Sequence, residues 1–202
     1  MRAKKVIMFD FDGVIADSLA DQTRVFVDTL RTHGLHELAQ PSTFLDFTET
    51  NWFDALVRAE VPPHVVEEME IAFGAAPRPE FFPGMAGVVE TLATANPVVV
   101  ITSSGTEPVA RTLRERGVRG VAGVIGGDVE PSKTRKIRSV RCRFGESLEA
   151  WYVCDTVGDV IEARAAGAGT VGVAWGWHGE ERLLGAGPDL IVRRPTDLRD
   201  LL

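Results

Sequence analysis

A doubly wound, Rossmann-like parallel α/β sheet, with a small α-helical cap inserted after its first strand, is the fold class predicted by this 202-residue sequence. Three observations carry that expectation. Short runs of strand-forming residues alternate with segments of helical period, the order that parallel β-α-β units produce. Two runs, Val6-Ile7-Met8-Phe9 and Val98-Val99-Val100-Ile101, are apolar throughout, as strands buried on both faces are. Residues 17–79 read as helical, which divides the chain into a core of 1–16 plus 80–202 and a cap of 17–79.

The elements follow in order. Residues 5–11 read as a buried strand between a charged start and Gly13, which frees the chain to turn. Leu19, Phe26, Val27 and Leu30 recur at helical spacing from about Asp17 to His33-Gly34, where glycine suits a helix C-terminus. A second helix spans about 52–60 with Phe53, Leu56 and Val57 on one face, and Val61-Pro62-Pro63 stops it. A third covers 64–73. Ala75-Ala76-Pro77-Arg78-Pro79 is a linker, because proline breaks both regular structures. After Phe82-Pro83-Gly84, helices are expected at 85–95, 107–116, 133–144 and 158–166. Strands are expected at 98–101, 121–125, 151–155, 170–174 and 190–192. Right-handed crossovers would set these strands in one parallel sheet.

Composition narrows the function classes. Hydrophobic residues at 45% and charged residues at 25% describe a soluble globular chain. A net charge of −7 leaves no basic stripe for nucleic-acid phosphates, and no apolar run is long enough to span a bilayer. The basic start at Met1 to Lys5 precedes an apolar run broken by Asp10 and Asp12, which is not the pattern of a signal peptide. Cys142 and Cys154 make no disulfide framework and fit a reducing cytoplasm. A cytoplasmic monomer is the default expectation, with a homodimer left open. His33, His36, His64 and His178 show no ligand spacing and read as structural or exposed; Trp175 and Trp177 read as packing residues, and Cys154 as a small buried hydrophobe.

The chemistry gathers at strand ends. Asp10 and Asp12, two apart, can turn toward the same side, into the crevice where open α/β sheets bind ligands. Two carboxylates that close repel, so the pair asks for a cation, a proton, or both. Thr102 and Ser103 close the second strand, Lys133 follows the third, and Asp155 ends the fourth with Asp159 behind it. Parallel strands bring all these ends to one edge. The inventory, a carboxylate nucleophile with further acids, hydroxyls and a lysine, can handle a phosphoryl group, and its hard oxygens suit Mg²⁺.

Asp10-Phe11-Asp12-Gly13-Val14 resembles the first motif of the haloacid dehalogenase-like hydrolase superfamily. Val100-Ile101-Thr102-Ser103 resembles the second, Lys133 the third, and Cys154-Asp155-Thr156-Val157-Gly158-Asp159 the fourth. The Trp175-Gly176-Trp177-His178 region and the tail from Pro195 are similar to the phosphoglycolate-phosphatase-type branch. The resemblance implies a phosphatase for a small phosphorylated metabolite. Asp10 would attack phosphorus and form an aspartyl-phosphate, and Asp12 would serve as acid and then base. Thr102, Ser103 and Lys133 would hold the phosphoryl oxygens. Mg²⁺ would be held by Asp10, the main-chain carbonyl of Asp12 and Asp155, with Asp159 in support. Two positions depart from the pattern: Cys154 stands where glycine is usual, and Thr134 where proline commonly follows the lysine.

A phosphoglucomutase-like transferase shares these motifs and differs in its cap contacts. Asp12 counts against a dehalogenase or phosphonatase. From another class, a phosphoacceptor signalling domain of the response-regulator type also uses acids, Thr/Ser and Lys at strand ends, and an inactive scaffold would keep the motifs. The long helical insert after the first acids weighs against the receiver. Arg24, Trp52, Arg58 and Arg78 are candidates for substrate contacts from the cap, without assignment.

Overall fold

The computed structural model describes residues 5–201. In chain order, β1 (Lys5–Phe9) and β2 (Ala16–Asp17) lead to helices α1 (Leu19–Thr32), α2 (Pro41–Phe47), α3 (Trp52–Arg58) and α4 (Pro63–Ala75), which β3 (Glu80–Phe81) follows. Then come α5 (Met85–Ala93), β4 (Val98–Ile101), α6 (Thr106–Glu115), β5 (Val121–Ile125), α7 (Lys133–Phe144) and β6 (Glu149–Cys154). The chain continues through α8 (Val157–Ala165), β7 (Gly169–Val173), α9 (Gly179–Ala186), β8 (Leu190–Val192), a 3-10 turn at Pro195–Asp197 and α10 (Leu198–Leu201).

Six strands pair in parallel in the order β5-β4-β1-β6-β7-β8. From β1 the chain winds outward through β4 and β5, then returns to the other side of β1 at β6. The direction of winding therefore reverses at β1, and the crevice at such a reversal lies beyond the strands' C-terminal ends. Alternation along the strands feeds two cores. Ile7, Phe9, Val100 and Val153 face Met85, Val88 and Leu92 of α5 with Val109 and Leu113 of α6. Val6, Met8, Tyr152 and Cys154 face Ile137 and Val140 of α7 and Val160 and Ala163 of α8. Both faces are covered, which is why these strands read as unbroken apolar runs.

Strand β1 stops two residues short of the expectation, at Phe9. Asp10 still donates its N–H to the Val153 carbonyl (2.9 Å), and the chain then turns, with Ile15 and Ala16 both donating to the Phe11 carbonyl. β2 and β3 pair antiparallel, Ala16 with Phe81, so the helical excursion leaves and rejoins the sheet at one place. The excursion has its own core of Val25, Phe26, Leu30, Phe44, Trp52, Leu56, Val65 and Met69. Phe26 sits at its middle, with ring centroids 5.4 Å from Phe44, 5.8 Å from Phe47 and 5.8 Å from Trp52.

Three helices, α2, α9 and the short α10, were not expected. The inward face of α3 also differs from the expectation: Trp52, Ala55 and Leu56 are buried, while Val57 is 75% exposed. The helix ends at Arg58 rather than 60, and Glu60 takes a left-handed φ of 54°. Asn51, beyond the expected start, caps α3 by accepting from the Phe53 and Asp54 N–H groups (3.1 and 3.2 Å).

Truncating Phe26 to Ala should leave a cavity at the junction of α1, α2 and α3. The expected cost is about 3–5 kcal/mol, read as a lower urea midpoint.

Candidate active site

Every acid, hydroxyl and amine expected at the site lies on the C-terminal edge of the sheet. The Asp10 carboxylate lies just past β1, buried, with its Oδ1 accepting from the Phe11 N–H (2.7 Å) and its Oδ2 from Lys133 Nζ (2.6 Å). Lys133 is the first residue of α7, started by Ser132, whose hydroxyl accepts from the Arg135 N–H. Its ammonium also donates to both Asp159 oxygens (2.7 and 2.8 Å). One carboxylate oxygen each from Asp10, Asp155 and Asp159 lies within 4.8 Å of the others.

Asp155 is held tightly. Its Oδ2 accepts from the Trp177 N–H (2.8 Å). A Cβ at Gly13 would stand 1.9 Å from that Oδ2, and one at Gly176 would stand 2.1 Å from the Asp155 Cβ. Gly13 also has φ +73°, so the turn after β1 needs glycine for two separate reasons. Asp155 Oδ1 is buried with no hydrogen-bond partner, a costly state for a carboxylate oxygen.

The charge count explains the need for a further ion. Asp10 and Asp159 share the single ammonium of Lys133, and Asp155 beside them does not contact it, so full ionisation of the three acids would leave two uncompensated negative charges. Burial lowers the pKa of Lys133, but Asp10 and Asp159 outweigh it and the net shift is upward. Burial, reinforced by the Asp10 charge, pushes Asp155 well above the usual carboxylate range. Burial lifts Asp159 to about 7 against the pull of Lys133. A cluster of buried carboxylate oxygens, one of them orphaned, has the chemistry of a hard divalent cation site.

Asp12 stands apart from that cluster. Its two oxygens accept from the Ser18 hydroxyl (2.7 Å) and the Ser104 hydroxyl (2.6 Å), and burial raises its pKa against both bonds. Thr102 ends β4, buried, and its Oγ1 accepts from the Ser104 N–H (3.0 Å). Thr102, Ser103 and Ser104 all line the cavity that holds Asp10, Asp12 and Lys133.

Ser18 and Ser104 were missed because the partners of Asp12 are fixed by the fold, although Ser104 is adjacent to the Thr102-Ser103 pair. Lys136 was also missed. One helical turn after Lys133, it is buried and donates to the Thr102 carbonyl (2.6 Å). Burial, then the neighbouring Lys133, lowers its pKa to about 8.

The two departures from the motif pattern have local explanations. The Thr134 N–H donates to Glu162 Oε1 (3.1 Å), a bond proline could not make, and this ties the start of α7 to α8. Cys154 is buried against Tyr152 and Val160, outside the left-handed region, so no glycine is required there. His178, expected to be structural or exposed, is structural. Its Nδ1 accepts from the Val157 N–H (3.0 Å), and its Nε2 lies 2.8 Å from Thr48 Oγ1 and 3.1 Å from the Leu45 carbonyl.

A six-stranded parallel sheet with paired aspartates after its first strand and a lysine and two acids from later loops is the layout of a phosphoryl-handling α/β hydrolase. The family model described as haloacid dehalogenase-like hydrolase matches residues 7–173, and the chain belongs to that family. Among curated relatives, the phosphoglycolate phosphatase of Synechococcus elongatus is 26% identical over 205 residues, spanning 96% of this chain and 95% of its own. The phosphoglycolate phosphatase of Aquifex aeolicus is 23% identical over 216 residues, spanning 98% and 96%. Among solved structures, a predicted phosphatase from Clostridium acetobutylicum superposes with a TM-score of 0.81 at 19% identity, covering 98% of each chain. A haloacid dehalogenase-like family hydrolase from Streptococcus pneumoniae gives 0.73 at 22% identity, covering 100% of this chain and 99% of its own.

Stability of the metal-free chain should depend on pH in a definite direction. The folded pKa of Asp159, about 7, lies above its ordinary value of 3.8. A group with a raised folded pKa contributes stability below the unfolded value, and that contribution is lost as pH climbs through the folded one. In EDTA, melting temperature should fall between about pH 4 and 7. Asp159→Asn should flatten that fall, as measured by differential scanning calorimetry.

Proposed function

We propose that this chain is a Mg²⁺-dependent phosphatase that hydrolyses a small phosphorylated metabolite through an aspartyl-phosphate on Asp10. The observation that carries this reading is the setting of the Asp10 carboxylate, 2.6 Å from Lys133 Nζ and within the three-acid cluster that includes the orphaned Asp155 oxygen. Membership of a hydrolase family and the phosphoglycolate phosphatases among the relatives support it.

In the first step an Asp10 oxygen attacks phosphorus while Asp12 gives its proton to the departing alcohol oxygen. The raised pKa of Asp12 favours the protonated form that this step needs. In the second step Asp12, now ionised, takes a proton from water, the water oxygen attacks phosphorus, and the bond to Asp10 breaks to release phosphate. Ser18 and Ser104, one on each Asp12 oxygen, hold that carboxyl in one orientation for both steps. Thr102 and Ser103 hold the phosphoryl oxygens, and Lys133 neutralises their charge and orients Asp10.

Asp10, the Asp12 carbonyl and Asp155 would hold Mg²⁺, which supplies charge neutralisation at the phosphoryl group. Asp159, with both oxygens on Lys133, acts through that lysine. Residues 17–79 form the cap, which closes on the core of 1–16 and 80–202 and excludes bulk water. A reducing compartment such as the cytoplasm suits the two free thiols, Cys142 exposed and Cys154 buried. Among the described residues, no helix is long and apolar enough to cross a membrane.

Phosphate release from p-nitrophenyl phosphate should require a divalent cation and fall at least about a thousandfold in Asp10→Asn. Unchanged turnover in that variant would remove Asp10 as nucleophile. Asp12→Asn should cost alkyl phosphates about 10²–10⁴-fold, and p-nitrophenyl phosphate much less, because a good leaving group needs little protonation.

A further inference from the structure

The helical excursion supplies one part of the wall of the cavity that holds Asp10, and its chemistry differs from what a hydroxy-acid phosphate requires. Gln22 of α1, Trp52 of α3, and Glu70 and Phe73 of α4 line it, and Trp177 closes one side. Glu70 is half-buried, and among the described residues its one hydrogen-bonding contact is a long one, 3.5 Å from Trp52 Nε1. Its carboxyl therefore keeps most of its hydrogen-bonding capacity for whatever occupies the cavity.

Among the described residues, no cation on that wall balances Glu70. Lys133 is the sole Lys, Arg or His lining the cavity, and its ammonium is already shared by Asp10 and Asp159. A leaving group carrying a carboxylate would be enclosed with Glu70 and Asp12 and would meet no positive partner, which is unfavourable in a buried site. A hydroxyl or ammonium would meet a ready acceptor, and the methylenes beside it would pack on Trp52 and Phe73.

We propose that Glu70 determines specificity, and that the alcohol released is a neutral or cationic hydrogen-bond donor of the polyol or amino-alcohol type, not a hydroxy acid. The proposal rests on the phosphatase reading and narrows its substrate class. It separates this chain from relatives named for phosphoglycolate, whose second anionic group the wall described here would repel. Burial, ahead of the Asp12 charge, raises the Glu70 pKa to about 7, so the carboxyl can accept from an ammonium when ionised or exchange hydrogen bonds with a hydroxyl when protonated. Beyond Asp12 and Ser104 an adjoining groove contains Arg78, paired with Glu115, and the exposed Arg111. These are the cations that an anionic leaving group would have to reach by another route.

Three matched esters test the proposal with the full chain and Mg²⁺: 2-phosphoglycolate, 2-hydroxyethyl phosphate and O-phosphoethanolamine, which differ only in the group facing the wall. p-Nitrophenyl phosphate is the control for phosphatase activity itself. The hydroxyl and ammonium esters should exceed phosphoglycolate in kcat/KM by at least about tenfold. Glu70→Gln should shrink the preference for phosphoethanolamine, mainly through KM. Glu70→Lys should reverse the order in favour of phosphoglycolate, a switch that loss of packing alone would not produce. Because each variant is compared with itself across the three esters, a general loss of activity leaves the ratios readable. Preference for phosphoglycolate in the unaltered chain, lost in Arg111→Ala, would overturn the assignment while leaving the phosphatase reading intact. Failure to release phosphate from p-nitrophenyl phosphate and from all three esters would overturn both.

Discussion

One ammonium paired with two of three clustered carboxylates is the constraint around which this structure is arranged. Lys133, Asp10, Asp155 and Asp159 are all buried, and none would be tolerated there alone. They come from the ends of β1 and β6 and the starts of α7 and α8, so their convergence requires the central strands to hold register. Buried polar networks of this kind contribute little net stability. Their effect is to specify a single arrangement, since any slip between β1 and β6 would strand a charge. The apolar faces of the sheet supply the stability, and the polar edge fixes where the faces must align.

The glycines at the edge serve the same constraint. Gly13 and Gly176 press on Asp155 from two sides at distances a side chain could not occupy. The turn after β1 is therefore shaped as much by an acid more than 140 residues later as by its own sequence. Asp12, in the same turn, is aimed differently by Ser18 and Ser104. Two aspartates one residue apart thus occupy distinct environments, one against an ammonium and the other between two hydroxyls.

What could be read from the chain without its structure depended on the range of the interaction. The strands at 98–101, 121–125 and 190–192 and the helix at 133–144 have the expected bounds, because short runs rich in β-branched residues mark the strands and one apolar stripe marks the helix locally. Helix α2 has seven residues and one fully buried side chain, Phe44, too short a pattern to register a period. Helix α9 begins at a glycine and buries only Leu183. The paired strands β2 and β3 are two residues long. At the site, Asp10, Asp12, Thr102, Lys133, Asp155 and Asp159 were legible because each stands at the end of a readable element. Ser104 bonding Asp12, Lys136 bonding the Thr102 carbonyl and Glu70 facing the cavity were not, because those contacts exist only after packing. Val57 shows the reverse case, an apolar residue at a plausible spacing that the fold leaves in solvent.

The segment between α2 and α3 touches the sheet domain far from where the excursion is covalently joined to it. Gly158 N–H donates to the Thr48 carbonyl (3.2 Å), Asn51 Nδ2 donates to the Pro131 carbonyl (3.1 Å), and Arg182 pairs with Asp46 and Glu49 (2.7 and 2.6 Å). A Cβ at Gly158 would stand 2.4 Å from the Thr50 carbonyl oxygen, so the two backbones are in close contact. Mechanically, the four helices form a beam supported at both ends rather than a plank fixed at one. Bending of such a span is resisted at each support, and Thr48 and Thr50 at one of them line the cavity. The helical excursion is thus held to the sheet domain at two places, the β2–β3 pair and the Thr48–Asn51 seat.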